Sequence, residues 1–179
     1  MIKPTLGDID LHLFNEGRHE EIYKKLGAHV TKIGRTKGVA FAVWAPQAAS
    51  VNVVGDFNGW NGSAHQMRRL GNSGVWELFI PNLTDGNLSK FEVRPPNGPP
   101  FFKADPYAQH TEVPPDTSSI VYSSKYKFHD ATWLKKRAAR EHFRKPLSIY
   151  EVHFGSWRRK IEEDSRPFTY REMAGPAPN

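Results

Sequence analysis

Two groups of residues in this sequence are of types that do chemistry. The first is acidic and imidazole: Glu151 and His153 lie within Leu147-Ser-Ile-Tyr-Glu-Val-His-Phe154, and Glu162-Glu163-Asp164 follow in a polar stretch. Carboxylates and imidazoles act as general acids and bases when held within hydrogen-bond reach of a reacting proton. Here the acidic triplet reads as a solvated loop, and Glu151 and His153 as strand residues awaiting neighbours, so no catalytic residue is assigned. The second group is aromatic. Trp60 closes the polar, glycine-bearing turn Gly55-Asp-Phe-Asn-Gly-Trp60, where an indole stands exposed. Sugars offer apolar C–H faces ringed by hydroxyls, so an aromatic plane with a few donors and acceptors recognises them.

Other chemistries are not supported. The chain has no cysteine, which removes disulfides, thiolate nucleophiles and Cys-based zinc sites. Its eight histidines show neither HxxxH nor HExxH spacing, and no glycine-rich phosphate loop occurs, so neither a metal nor a nucleotide cofactor is expected. The net charge of +6 comes with a cluster at Lys135, Lys136, Arg137, Arg140, Arg144 and Lys145. Such runs are usually solvated faces, so no nucleic-acid partner is expected, although binding of a polyanion is the weakest alternative. No apolar run is long enough to span a bilayer, and Met1 to Asp10 has no apolar signal region. The expectation is a cytoplasmic protein with no membrane partner.

Four zones must position these residues. Asp8 to His29 has a broken apolar stripe and reads as helical, with Gly27 as its stop. From Lys37 to Tyr122 the pattern is all-β: Gly38–Trp44, Ser50–Val54, Val75–Ile80 and Leu88–Val93 are strand-like, with shorter candidates at Pro99–Lys103 and Ser119–Tyr122. Short strands separated by turn signals argue for a sandwich. Phe41, Trp44, Trp76 and Phe79 are its expected core, and Phe57 a buried anchor for the turn. A basic helix is expected around Ala131–Phe143. Leu147–Phe154 then reads as a strand, and Tyr170–Ala174 as the start of a helix broken by Gly175-Pro-Ala-Pro178.

Three stretches in register resemble the α-glucan branching enzymes of the α-amylase superfamily. They are Gly38–Pro46 running into Ser50–Trp60, then Gly74–Pro81 with Lys90–Val93 and Lys103–Ala108, and finally Ser148–Trp157. The resemblance implies an immunoglobulin-like family-48 carbohydrate-binding sandwich joined to the first strand of a (β/α)8 barrel. It implies α-glucan as the partner, with Trp60 stacking on a glucose ring and Lys90 contacting hydroxyls. Asn97, in the turn after the Lys90 strand, is an expected hydrogen-bonding rim. Family members often carry a second aromatic in that turn; here Asn97-Gly98-Pro99-Pro100-Phe101-Phe102 holds no Trp, a departure expected to weaken binding unless Phe101 or Phe102 substitutes.

The expected division is a helical segment at 1–36, the sandwich at 37–124, a basic helical linker at 125–146 and a barrel fragment at 147–179. The family's retaining chemistry uses carboxyls roughly 5–5.5 Å apart on barrel strands beyond the first. The expectation is therefore a truncated branching enzyme that binds glucan without turnover; a stand-alone regulatory module is the alternative. Leu147–Phe154, lacking barrel neighbours, is an apolar edge expected to promote self-association.

Overall fold

The computed structural model describes residues 5–140, 144 and 146–174. The chain divides into two units, Met1–Tyr126 and Lys127–Asn179.

The first unit is an all-β, immunoglobulin-like sandwich with a short helical segment before it. One sheet has the order β1-β2-β5-β4, from Gly27–Ile33, Thr36–Trp44, Val75–Pro81 and Arg68–Arg69. The other holds β3 (Ser50–Gly55), β6 (Leu88–Arg94) and β7 (Phe101–Lys103) in that order, with β8 (Ser119–Ile120) also on β6. All pairings are antiparallel. Period-2 alternation puts Val39, Phe41 and Val43 of β2 and Trp76 and Ile80 of β5 on the inner face. They meet Val51, Val53 and Phe91 from the opposite sheet, with Met67 and Val121 closing the core. Each such side chain contributes about 1.5–3 kcal/mol by leaving water.

Strand β2 is buried on both faces. Its outer positions include the small Ala40 and Ala42, which admit a second layer formed by Leu6, Leu11, Phe14, Ile22 and Leu26. Helix α1 (Asp8–Asn15) and a 3-10 turn at Ile22–Lys24 supply part of that layer. Thr5 fastens its start: the Thr5 N–H and hydroxyl both donate to Glu77 Oε2 at 3.1 Å. Glu77 is only 4% exposed and also accepts from Arg68 Nε at 2.9 Å.

This arrangement corrects the helical reading of residues 1–36. Helix ends at Asn15, and Gly27 opens strand β1. A glycine there reads like a helix stop, yet its φ of +100° serves another purpose. A Cβ on Gly27 would lie 3.0 Å from Tyr107 Cβ and 3.2 Å from Asp105 Oδ2, so the missing side chain lets the 105–107 turn approach. Trp44 also departs from the expected core. It falls on the outer face at 54% exposure, edge-on to Phe14 with centroids 6.1 Å apart. Phe79 is only half-buried.

In the second unit, α2 (Ala131–Ala138) lies within the expected basic helix, whose residues 141–143 are outside the described ones. Leu147–His153 joins no strand ladder, and Phe154 begins a helical turn, α3 (Phe154–Trp157). The expected barrel strand is thus not formed. A strand's backbone groups need a paired neighbour, and no described residue supplies one to this segment. Beyond α3, β9 (Arg159–Lys160) and β10 (Arg166–Pro167) form a small hairpin, followed by α4 (Tyr170–Ala174). The expected helix break at 175–178 lies outside the described residues.

Candidate functional site

Each residue of the turn after β3 has a distinct mechanical part in presenting Trp60. Gly55 sits where a Cβ would collide with the Leu88 carbonyl oxygen, so the turn starts hard against β6. Phe57 anchors it inward, 6.5 Å from the Phe41 ring and edge-on to His65 at 5.5 Å. Asn58 locks it: its Oδ1 accepts from the Gly55 N–H at 2.9 Å, and its Nδ2 donates to the Val53 carbonyl at 3.0 Å and meets His65 Nδ1 at 2.9 Å. Gly59 and Trp60 then both adopt left-handed backbone, at φ +60° and +63°. Left-handed φ is unusual for a tryptophan. The Trp60 N–H donates to the Gly55 carbonyl at 2.9 Å, closing the loop on itself. The indole remains 39% exposed.

Lys90 reaches the same surface from β6, where it pairs with Val54. Its Nζ lies 5.8 Å from the Trp60 ring centroid and donates to Thr117 Oγ1 at 2.7 Å. An ammonium at this distance from an indole face is a cation–π contact. Glu112 stands behind it: hydrogen bonds from Ser118, and then the Lys90 charge, hold its carboxyl below the usual range. Asn87 Nδ2 donates to Asp56 Oδ1 at 3.3 Å along the rim. The result is an exposed aromatic plane flanked by an ammonium, a hydroxyl, an amide and a carboxylate, which suits a flat, hydroxyl-rimmed ligand.

Of the three residues expected at a sugar site, Trp60 and Lys90 come together. Asn97 does not. It lies in the turn beyond the other end of β6, and four residues of strand from Lys90 to Arg94 span about 13 Å. Thr117 was missed by sequence reasoning because it arrives from a loop 27 residues away, a distance no local pattern encodes.

Several of the other acid–base candidates have local partners. In the second unit Glu163 bonds Lys160 Nζ at 2.8 Å and Arg166 Nε at 2.7 Å. His153 Nδ1 meets Ser156 Oγ at 2.6 Å within one helical turn. Glu172 accepts from Arg166 and from the Thr169 N–H at 2.7 Å, which holds its carboxyl far below the usual range and caps α4. Among the described residues no group of three or more His, Asp or Glu side chains is arranged to hold a metal, and no helix is long and apolar enough to cross a membrane.

Comparison with known proteins places this geometry in a family. Residues 25–108 match carbohydrate-binding module 48 (Isoamylase N-terminal domain). The chain is 53% identical over 174 residues to the 1,4-alpha-glucan branching enzyme of Myxococcus xanthus (strain DK1622), covering 96% of this chain and 24% of that protein. It is 50% identical to a 1,4-alpha-glucan branching enzyme of Streptomyces coelicolor (strain ATCC BAA-471 / A3(2) / M145), covering 98% of this chain and 22% of the relative. Among solved structures, a pullulanase from Bacillus acidopullulyticus matches at a TM-score of 0.45 and 23% identity, over 55% of this chain and 12% of that one. The chain spans about a quarter of the length of the curated relatives it matches. It carries a family-48 carbohydrate-binding module at residues 25–108, within a sequence related along nearly its whole length to the 1,4-alpha-glucan branching enzymes.

Proposed function

We propose that the first unit binds a 1,4-α-glucan, stacking a glucose ring on the Trp60 indole while Lys90 and Thr117 contact its hydroxyls. One observation carries the reading: an exposed indole is held in strained, left-handed backbone with a lysine ammonium 5.8 Å from its ring. Strain of this kind persists where surrounding bonds over-determine it, and it collects at ligand sites. In a glycogen-synthesising cytoplasm the segment contributes recognition of the glucan. We assign this segment, which spans about a quarter of the branching-enzyme relatives, to binding and not to transfer.

Co-sedimentation with glycogen tests the reading, using the unaltered chain and Trp60→Ala at low and high salt. Stacking on a neutral sugar is expected to be indifferent to salt. Loss of one aromatic platform, about 1 kcal/mol, weakens binding about fivefold. No co-sedimentation at either salt would overturn the reading; a polyanion surface would show instead as binding to heparin that falls steeply with salt, through counterion release.

A further inference from the structure

Lys90 carries its ammonium on a flexible four-carbon stem, and such a side chain weakens binding by the rotamer freedom it loses in a complex. Here the side chain is already held: Nζ donates to Thr117 Oγ1 at 2.7 Å and stands 5.8 Å from the Trp60 ring centroid. Thr117 is exposed and belongs to no strand, so its own position has to be fixed by the loop that carries it. That loop is closed at its neck. Strand β8 pairs Ser119 with Ser89, the residue before Lys90, and a bridge joins Thr111 to Ser119. One step further out, the Glu112 N–H donates to the Ser118 carbonyl at 3.0 Å. The Ser118 N–H donates back to Glu112 Oε2 at 2.8 Å. Ser118 is buried, and Thr117 is its neighbour in the chain.

We infer that Glu112 is a positioning residue of the Trp60 site: its carboxylate clasps the 112–118 loop at Ser118, the clasp sets Thr117, and Thr117 holds the Lys90 ammonium against the indole. The inference rests on the glucan-binding reading of the first unit. Its separate support is a continuous chain of bonds from Glu112 through Ser118 and Thr117 to Lys90. A carboxylate accepting from a backbone N–H makes a charge-assisted bond, roughly twice as strong as a neutral one. The bonds from Ser118, and then the Lys90 charge, keep the Glu112 carboxyl below its usual range, so it is ionised at neutral pH. Glu112 thus acts without touching the sugar. By ordering Lys90 and Thr117 beforehand, it removes an ordering cost that the ligand would otherwise meet.

The test compares the labelled full chain with Glu112→Ala, Glu112→Gln, Thr117→Val and Lys90→Met, and with Glu112→Ala in the Lys90→Met background. Without ligand, the Lys90 ε-methylene protons are expected upfield of those of an unstacked lysine, through the indole ring current. In Glu112→Ala and Thr117→Val that offset should collapse. Glu112→Gln keeps an acceptor for the Ser118 N–H and should fall between. Maltoheptaose is then titrated and read by the amide shifts of Gly59 and Trp60. Glu112→Ala is expected to bind about fivefold more weakly, and to cause no further loss in the Lys90→Met background, as befits a group acting through another. An offset that survives Glu112→Ala overturns the inference. So does an equal loss of affinity in both backgrounds, which would make Glu112 a sugar contact or a prop of the fold. If the unaltered chain ignores maltoheptaose, the glucan reading fails and the inference with it. Amide shifts of β2 and β5 that match the parent verify folding. Should Glu112→Ala fail that check, Glu112→Gln carries the same comparison with a smaller expected loss, and an unchanged Lys90 offset there overturns the inference.

Discussion

Trp60 concentrates function and strain in one residue. A tryptophan at φ +63° is in a region that costs a non-glycine residue of order 1 kcal/mol or more. Trp60→Gly removes both the indole and that cost, whereas Trp60→Ala removes the indole and keeps a Cβ in the same backbone. Thermal unfolding should therefore place Trp60→Gly at or above Trp60→Ala in Tm, with both binding glycogen about fivefold more weakly. A Trp60→Gly protein that melts well below Trp60→Ala would show that the backbone there is unstrained. Asp105 makes a different kind of local prediction. Burial pushes its carboxyl above the usual range, against the opposing bond from the Tyr107 N–H and the nearby His29, and its Oδ2 has no hydrogen-bond partner. With the folded value above the unfolded one of about 3.9, the native state keeps a proton that the unfolded chain releases. The Asp105 contribution to stability accordingly falls as pH rises from about 4 through the raised value, and stays low above it. Urea midpoints from pH 4 to 7 should decline more in the unaltered protein than in Asp105→Asn, which should be the more stable at pH 7. Parallel curves would sink this account.

At the scale of elements, β6 is the organising strand. It pairs with β3 on one side and with β7 and β8 on the other, bringing Lys90 beside the Trp60 turn and setting Phe101 opposite Val93. The opposite sheet is organised by a buried charge. Glu77 on β5 gathers Thr5 from the N-terminal segment and Arg68 from β4, so one carboxylate ties a helical cover to a sheet edge. Glu77→Ala strips a charged acceptor from both, and hydrogen bonds of this kind contribute about 2 kcal/mol. The variant should lose about that much stability in urea. It should also be cut near residues 5–25 at protease concentrations that leave the parent intact, while its affinity for glycogen is unchanged because the Trp60 turn lies in the other sheet. Loss of stability with no new cleavage would show that the carboxylate does not hold the segment.

The molecule as a whole is two units with different internal logic. The first is closed by two apolar layers and a sandwich core. The second is held by a hairpin, a Phe154–Tyr170 ring contact at 4.6 Å and the Lys160–Glu163–Arg166–Glu172 ion pairs. Exposed ion pairs contribute little to stability, and Leu147, Ile149 and Tyr150 stand in solvent there. A chain ending at Tyr126 should melt cooperatively and bind glycogen as the full chain does. It should sediment as a monomer at concentrations where the full chain self-associates through that apolar stretch. Equal association of the two chains would assign self-association to the sandwich.

Much of this was written locally. Alternation of apolar residues announced β2, β3, β5 and β6, because a sheet with one face on a core demands a period of two. The Gly55–Trp60 turn was legible because each of its residues meets a backbone need of its own. Strand β1 was not legible, since Gly27 after a lysine pair reads as a helix end until the 105–107 turn is seen to require its missing Cβ. Nor was Trp44, whose aromatic character suits a core but whose register turns it outward. The sequence alone thus indicated the sandwich and the exposed turn that carries Trp60, while Lys90 was named through the family resemblance. Tertiary structure decided that Thr117 joins Trp60 and Lys90, that the 105–107 turn packs on Gly27, and that Leu147–His153 forms no strand. The reason is common to all three: each depends on which distant segment lies alongside, and spacing along the chain carries no record of that.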